Sequence, residues 1–125
     1  MIDFNLIDSS VWLAYLEGEE LVAQYIDSLD SGMGVATSVI TLFEVAKRYK
    51  KLKYPLQKIK TAISLIKERS VLFNVDEEIV NLATDFSNSL SIADALIYAT
   101  SQLNKFTFLT KDNDFRNLPN VKILV

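Results

Sequence analysis

Cysteine and histidine are both absent from the 125 residues, and the two absences remove whole classes of chemistry. Without cysteine there is no disulfide and no thiolate nucleophile, and a reducing compartment is the expected setting. Without histidine there is no Ser-His-Asp triad and no imidazole-based cleavage of RNA; without either, no Cys/His zinc site. Any catalysis falls to carboxylates, lysines and hydroxyls. Basic residues are missing from residues 1–46, which hold eight acids and neither Lys nor Arg. The first apolar stretch therefore lacks the positive flank of a secretory signal. No uninterrupted apolar run approaches the roughly 20 residues that span a bilayer. A cytoplasmic protein without membrane association is expected.

Half of the residues are hydrophobic, enough for one compact domain, here 1–125, with a real core. The net charge of −3 conceals a division along the chain. Residues 1–46 carry a net −8, and residues 47–69, with nine bases against Glu68, carry a net +8. An acidic total does not exclude a polyanionic partner, because the local field decides.

Periodicity sets the expected elements. Ile2, Phe4 and Leu6 lead a first strand into Ile7 and Asp8. Val11, Leu13, Ala14 and Leu16 start a helical period that Gly18 ends, and Glu19 to Ser31 repeats it up to Gly32. A short strand over Gly34 to Ala36 precedes a long helix from Thr37 or Ser38 to about Lys53. Pro55 suits the first turn of the next helix. Val71 to Val75 reads as a strand, and Asp76, Glu77 and Glu78 open a helix where its dipole favours acids. A further helix runs from Ser91 to about Leu103, then a strand at Phe106 to Leu109, a turn at Lys111 to Asn113 and a last strand at Val121 to Val125. Strands alternating with helices predict a three-layer α/β/α sandwich with a mostly parallel central sheet. In such sheets ligands bind beyond the carboxyl ends of the strands, where Asp8 falls.

Five acids are candidates for that edge: Asp8 in "LIDSS", Glu44 in "TLFEVAKR", Asp94 in "SIADALIYA", and Asp112 and Asp114 in "FLTKDNDF". Each has a plain structural alternative. Thr41 and Glu44 match a capping box, Ser91 and Asp94 nearly so, Asp8 precedes a serine cap, and Asp112 or Asp114 suits a turn. Yet Glu44 and Asp94 are embedded in apolar sequence, where a carboxylate needs a compensating partner. Carboxylates gathered at one edge repel unless a cation lies among them, and an all-oxygen set suits Mg²⁺ or Mn²⁺. Such an ion can activate water and neutralise charge on a phosphodiester.

The order and spacing of these acids, from "NLIDSSVWLAYL" to "FLTKDNDFRNLPNVKIL", resemble the PIN-domain nucleases, in particular the VapC-type toxins of toxin-antitoxin pairs. The resemblance implies a metal-dependent endoribonuclease with Asp8, Glu44, Asp94 and Asp112 as catalytic acids around Mg²⁺ or Mn²⁺, and Asp114 as a fifth acid. It implies that Ser10 and Thr110 orient the acids or contact a phosphate, and that cleavage leaves a 5′-phosphate and a 3′-hydroxyl. A homodimer and an antitoxin protein partner are implied with it. Ser9, where the family often has threonine, and Trp12, bulkier than the usual aliphatic residue, depart from the pattern.

The basic stretch "AKRYKKLKYPLQKIK" suits contact with RNA phosphates through Lys47, Arg48, Lys50 and Lys51, with stacking on Tyr49 and Tyr54; a solvated helix face is the plain alternative. Two other functional classes stand beside the nuclease. One is a catalytically silent PIN-like module that binds RNA or protein and keeps its acids as caps. The other is a receiver-like phosphoryl-transfer domain with Asp8 as acceptor.

Overall fold

A computed structural model describes residues 4–29 and 34–124. Five strands form one sheet: β1 (Phe4–Ile7), β2 (Gly34–Ser38), β3 (Val71–Phe73), β4 (Thr107–Thr110) and β5 (Val121–Ile123). Their order is β3-β2-β1-β4-β5, and every pairing is parallel. Six α-helices connect them: α1 (Ser9–Leu16), α2 (Glu20–Leu29), α3 (Val39–Lys51), α4 (Leu56–Arg69), α5 (Glu77–Ala83) and α6 (Ile92–Leu103). None of the described helices is long and apolar enough to cross a membrane.

The central strands are buried on both faces, so consecutive residues serve opposite layers. Leu6, Ala36 and Phe108 face one cluster with Ile79, Ala83, Ala95 and Tyr98 of α5 and α6. Their neighbours Ile7, Val35 and Leu109 face the other cluster, with Val11, Trp12, Val22, Val45 and Ile66 of α1 to α4. The sheet is thus sandwiched between two helical layers, the α/β/α architecture expected. The chain moves outward from β1 through β2 to β3, then crosses back to β4 on the other side. That reversal makes the β1/β4 boundary a topological switch point, where a crevice opens beyond the strand ends.

Element boundaries differ from the sequence expectation in informative ways. The first helix starts at Ser9 rather than Val11, because the backbone turns immediately after Asp8, whose carbonyl accepts from the Val11 and Trp12 amides. Pro55 occupies the N-cap of α4 instead of its first turn; its φ of −63° suits either position. The long helix ends at Lys51, with Lys53 already at a φ of 62°. A 3-10 helix, Asn113–Phe115, replaces the turn expected at Lys111 to Asn113, and Phe115 seats it in the core against Phe108. The helix end at Ser31 and Gly32 and the terminal Val125 lie outside the described residues.

Candidate metal centre

Asp8 leaves the carboxyl end of β1 and is 3% exposed. It stands at the N-cap of α1, yet its carboxylate makes no capping hydrogen bond. Instead Oδ2 accepts from Thr110 Oγ1 at 2.7 Å and from Ser10 Oγ at 2.9 Å. Those hydroxyls accept in turn from the Asp112 and Lys111 amides, each at 3.0 Å. A hydroxyl has one proton to give, and both protons go to Asp8, so the 3.3 Å approach of Ser10 to Thr110 adds no bond of its own. The result is a carboxylate with one oxygen fixed across the β1/β4 boundary and the other, Oδ1, buried and unpartnered.

Glu44 comes from α3. The capping-box reading fails here: α3 begins at Val39, and Ser38 is its cap, accepting from the Ile40 amide at 3.1 Å. Thr41 lies inside the first turn, fully buried, with a hydroxyl that finds no partner. Glu44 is therefore free of helix-end duty, and its Oε1 is buried and unpartnered as well. Asp94 comes from the first turn of α6. Ser91 does cap that helix, accepting from the Asp94 amide at 3.3 Å, the near capping box expected of this stretch.

One oxygen from each of Asp8, Glu44 and Asp94 lies within 4.8 Å of the others. The three oxygens are close enough together for one cation to draw them in as shared ligands. Charge points the same way. Burial, more than anything else, pushes Asp8 above the usual carboxylate range, with Asp112 adding repulsion against the Thr110 and Ser10 hydroxyls. Burial also raises Glu44, helped by Asp8 and Asp94 and opposed by the Ser9 hydroxyl and Lys47. Asp94 is pushed up to about 6 by burial first, then by Asp8, Asp112 and Asp114, with Ser91 opposing. Three desolvated acids facing one another cost free energy that a divalent cation removes.

Asp112 and Asp114 stand apart from this triad. Asp112 caps the 3-10 helix by accepting from the Asp114 amide at 2.9 Å, the turn role anticipated for it, and Asp114 is exposed. Both still act on Asp94 through space, and Asp112 acts on Asp8. Ser9 was not among the predicted site residues, although its hydroxyl stabilises the Glu44 carboxylate. The adjacent Ser9 and Ser10 were the available signal: on a helix start they point to different acids. The basic residues divide as well. Lys47, Arg48 and Lys51 line a cavity with Glu44, and Lys50 does not.

A comparison with proteins of curated function returns no match. Solved structures share the fold over nearly the whole chain. VapBC2 from Rickettsia felis, bound to a DNA fragment from its promoter, is 16% identical with a TM-score of 0.79 over 97% of each chain. A toxin-antitoxin complex from Klebsiella pneumoniae is 25% identical with a TM-score of 0.76, covering 94% of this chain and 95% of that one. VapC20 from Mycobacterium tuberculosis, a sarcin-ricin loop cleaving toxin, is 17% identical with a TM-score of 0.73, covering 92% and 95%. The family model of the PIN domain matches residues 6–121, a span that runs from the middle of β1 to the first residue of β5 and contains all three converging acids. By sequence and by fold, the chain belongs to the PIN-domain family.

Proposed function

We propose that the protein is a metal-dependent endoribonuclease, the toxin of a toxin-antitoxin pair, acting in the cytoplasm as a single PIN-like domain over residues 1–125. The observation that carries this reading is the convergence of Asp8, Glu44 and Asp94 with two of their oxygens buried and unpartnered. A structural role would have used those oxygens for caps or ion pairs. Holding a cation leaves them free until it arrives.

Asp8, Glu44 and Asp94 would hold Mg²⁺ or Mn²⁺, which the all-oxygen donor set suits. Bound there, the ion supplies Lewis-acid stabilisation of phosphodiester charge and a more acidic water. The remaining chemistry belongs to the chain. Ser10 and Thr110 fix Asp8 Oδ2 and so aim Oδ1 at the centre. With their protons committed to Asp8, they orient the acid and are not free to donate to a phosphate. Glu44 would offer its buried, unpartnered Oε1 to the same cation. Asp112 and Asp114 add negative charge at the rim of the site, strengthening its hold on a cation. The cleavage leaves a 5′-phosphate and a 3′-hydroxyl. Relatives of this fold solved as toxin-antitoxin complexes support an antitoxin partner, and the family resemblance supports a homodimer. A receiver-like role for Asp8 is disfavoured, because an acid 3% exposed with one oxygen clamped by two hydroxyls is a poor phosphoryl acceptor.

The test is cleavage of a panel of single-stranded and structured RNAs in Mg²⁺, in Mn²⁺ and in EDTA, with Asp8→Asn and Asp94→Asn alongside. Metal-dependent cutting that both variants abolish is expected. Cutting that survives both substitutions would remove these acids from the reaction. No cutting, with equal Mn²⁺ binding by all three proteins, would leave a binding module with silent acids.

A further inference from the structure

Positive charge gathers beside Glu44 on one helix. Glu44, Lys47, Arg48 and Lys51 line a cavity of about 190 Å³ on α3. Helical geometry explains the set: at about 100° per residue, Lys47, Arg48 and Lys51 all project within roughly 60° of Glu44, whereas Lys50 projects about 120° away. All three cations are exposed, and no salt bridge engages them among the described residues. The opposite rim of the centre is acidic, with Asp112 and Asp114 close enough to act on Asp94. The cation next to that rim, Lys111, is already held by Glu19 at 2.5 Å. An anionic strand reaching the acids therefore meets attraction on the α3 side and repulsion on the other.

We propose that this cavity binds a backbone phosphate of single-stranded RNA, the one next to the phosphodiester presented to Asp8, Glu44 and Asp94. Glu44 belongs to both the cavity and the triad, so the two sites share a wall and take neighbouring phosphates of one strand. Single-stranded RNA is the class that fits. Asp8 is recessed at 3% exposure, and a backbone must bend inward to reach it while its neighbour stays over the lysines. Splayed single strands bend in this way and stacked duplexes do not. The strand accordingly leaves the site along α3. The inference rests on the nuclease reading for the identity of the strand, yet binding can be read without cleavage.

The experiment measures the affinity of a fluorescent mixed-sequence single-stranded RNA for the Asp94→Asn protein as KCl is varied. Lys47→Ala, Arg48→Ala, Lys51→Ala and, as the internal control, Lys50→Ala are each added to that background. Each of the first three is expected to reduce the salt slope by about 0.7, which at 0.1 M salt is about a fivefold loss of affinity. Lys50→Ala is expected to change the slope far less. In the otherwise unaltered protein, Lys51→Ala should raise KM and leave kcat unchanged. Equal slopes for Lys50→Ala and Lys51→Ala, or no slope change in any variant, would overturn the subsite even where metal-dependent cleavage is intact. Reduced slopes without cleavage would support the subsite and sink the nuclease reading instead. If the starting protein does not bind RNA, the proposal fails outright.

Discussion

Asp8 holds the most consequential pair of oxygens in the molecule. One is saturated by hydroxyls and the other has nothing. Asp8→Asn keeps an acceptor for Ser10 and Thr110 and turns the orphaned oxygen into a donor facing two carboxylates. In EDTA it is expected to stabilise the fold by about 1–2 kcal/mol, read as a higher melting temperature, while abolishing metal binding. The acids also set a pH dependence. Their folded-state values are raised, that of Asp94 from 3.8 to about 6, so the native state binds more protons than the unfolded chain across that interval. Stability of the metal-free protein must then fall as pH rises from about 4 to 6. Urea midpoints in EDTA should be higher at pH 5 than at pH 7. Thr41 is a second orphan, and Thr41→Val, which keeps its shape and removes the hydroxyl, is expected to stabilise the protein by about 1 kcal/mol.

At the scale of elements, two short features position the acids. Ser38 ends β2 and caps α3, so it sets where Glu44 stands relative to Asp8. Ser38→Ala is expected to cost about 1 kcal/mol in urea denaturation and to weaken Mn²⁺ binding with it. Gly34 begins β2 opposite Phe4, and a Cβ there would meet the Phe4 ring at 2.4 Å. Much of this was legible in the sequence. Strand–helix alternation led to the parallel sandwich, the carboxyl end of the first strand marked Asp8, and apolar surroundings marked Glu44 and Asp94. The helix start read at Thr37 or Ser38 holds, with Ser38 as cap. The Thr41 capping box fails beside it, because its spacing recurs wherever a hydroxyl precedes an acid by one turn. Lys50 and Lys51 look alike as neighbours in a basic run. Only the helix phase, anchored by the burial of Val45 and Tyr49, separates them.

For the whole molecule, the sheet order determines which distant segments meet. The three acids come from β1, α3 and α6, and the hydroxyl that fixes Asp8 from β4, so a cation bound among them ties together both helical layers. Mg²⁺ or Mn²⁺ at about a hundred times its dissociation constant is expected to raise unfolding stability by about 2.7 kcal/mol. The gain should vanish in Asp8→Asn, and calorimetric melting of both proteins with and without EDTA reads it directly.

The hydrogen bond from Thr110 to Asp8 spans 102 positions of the chain. Closing so long a loop costs chain entropy that only the cooperative folding of the intervening strands and helices repays. The clamp on Asp8 therefore reports on the whole sheet: it holds only where β1 and β4 are paired, so a substitution that loosens that pairing disarms the carboxylate without touching an acid.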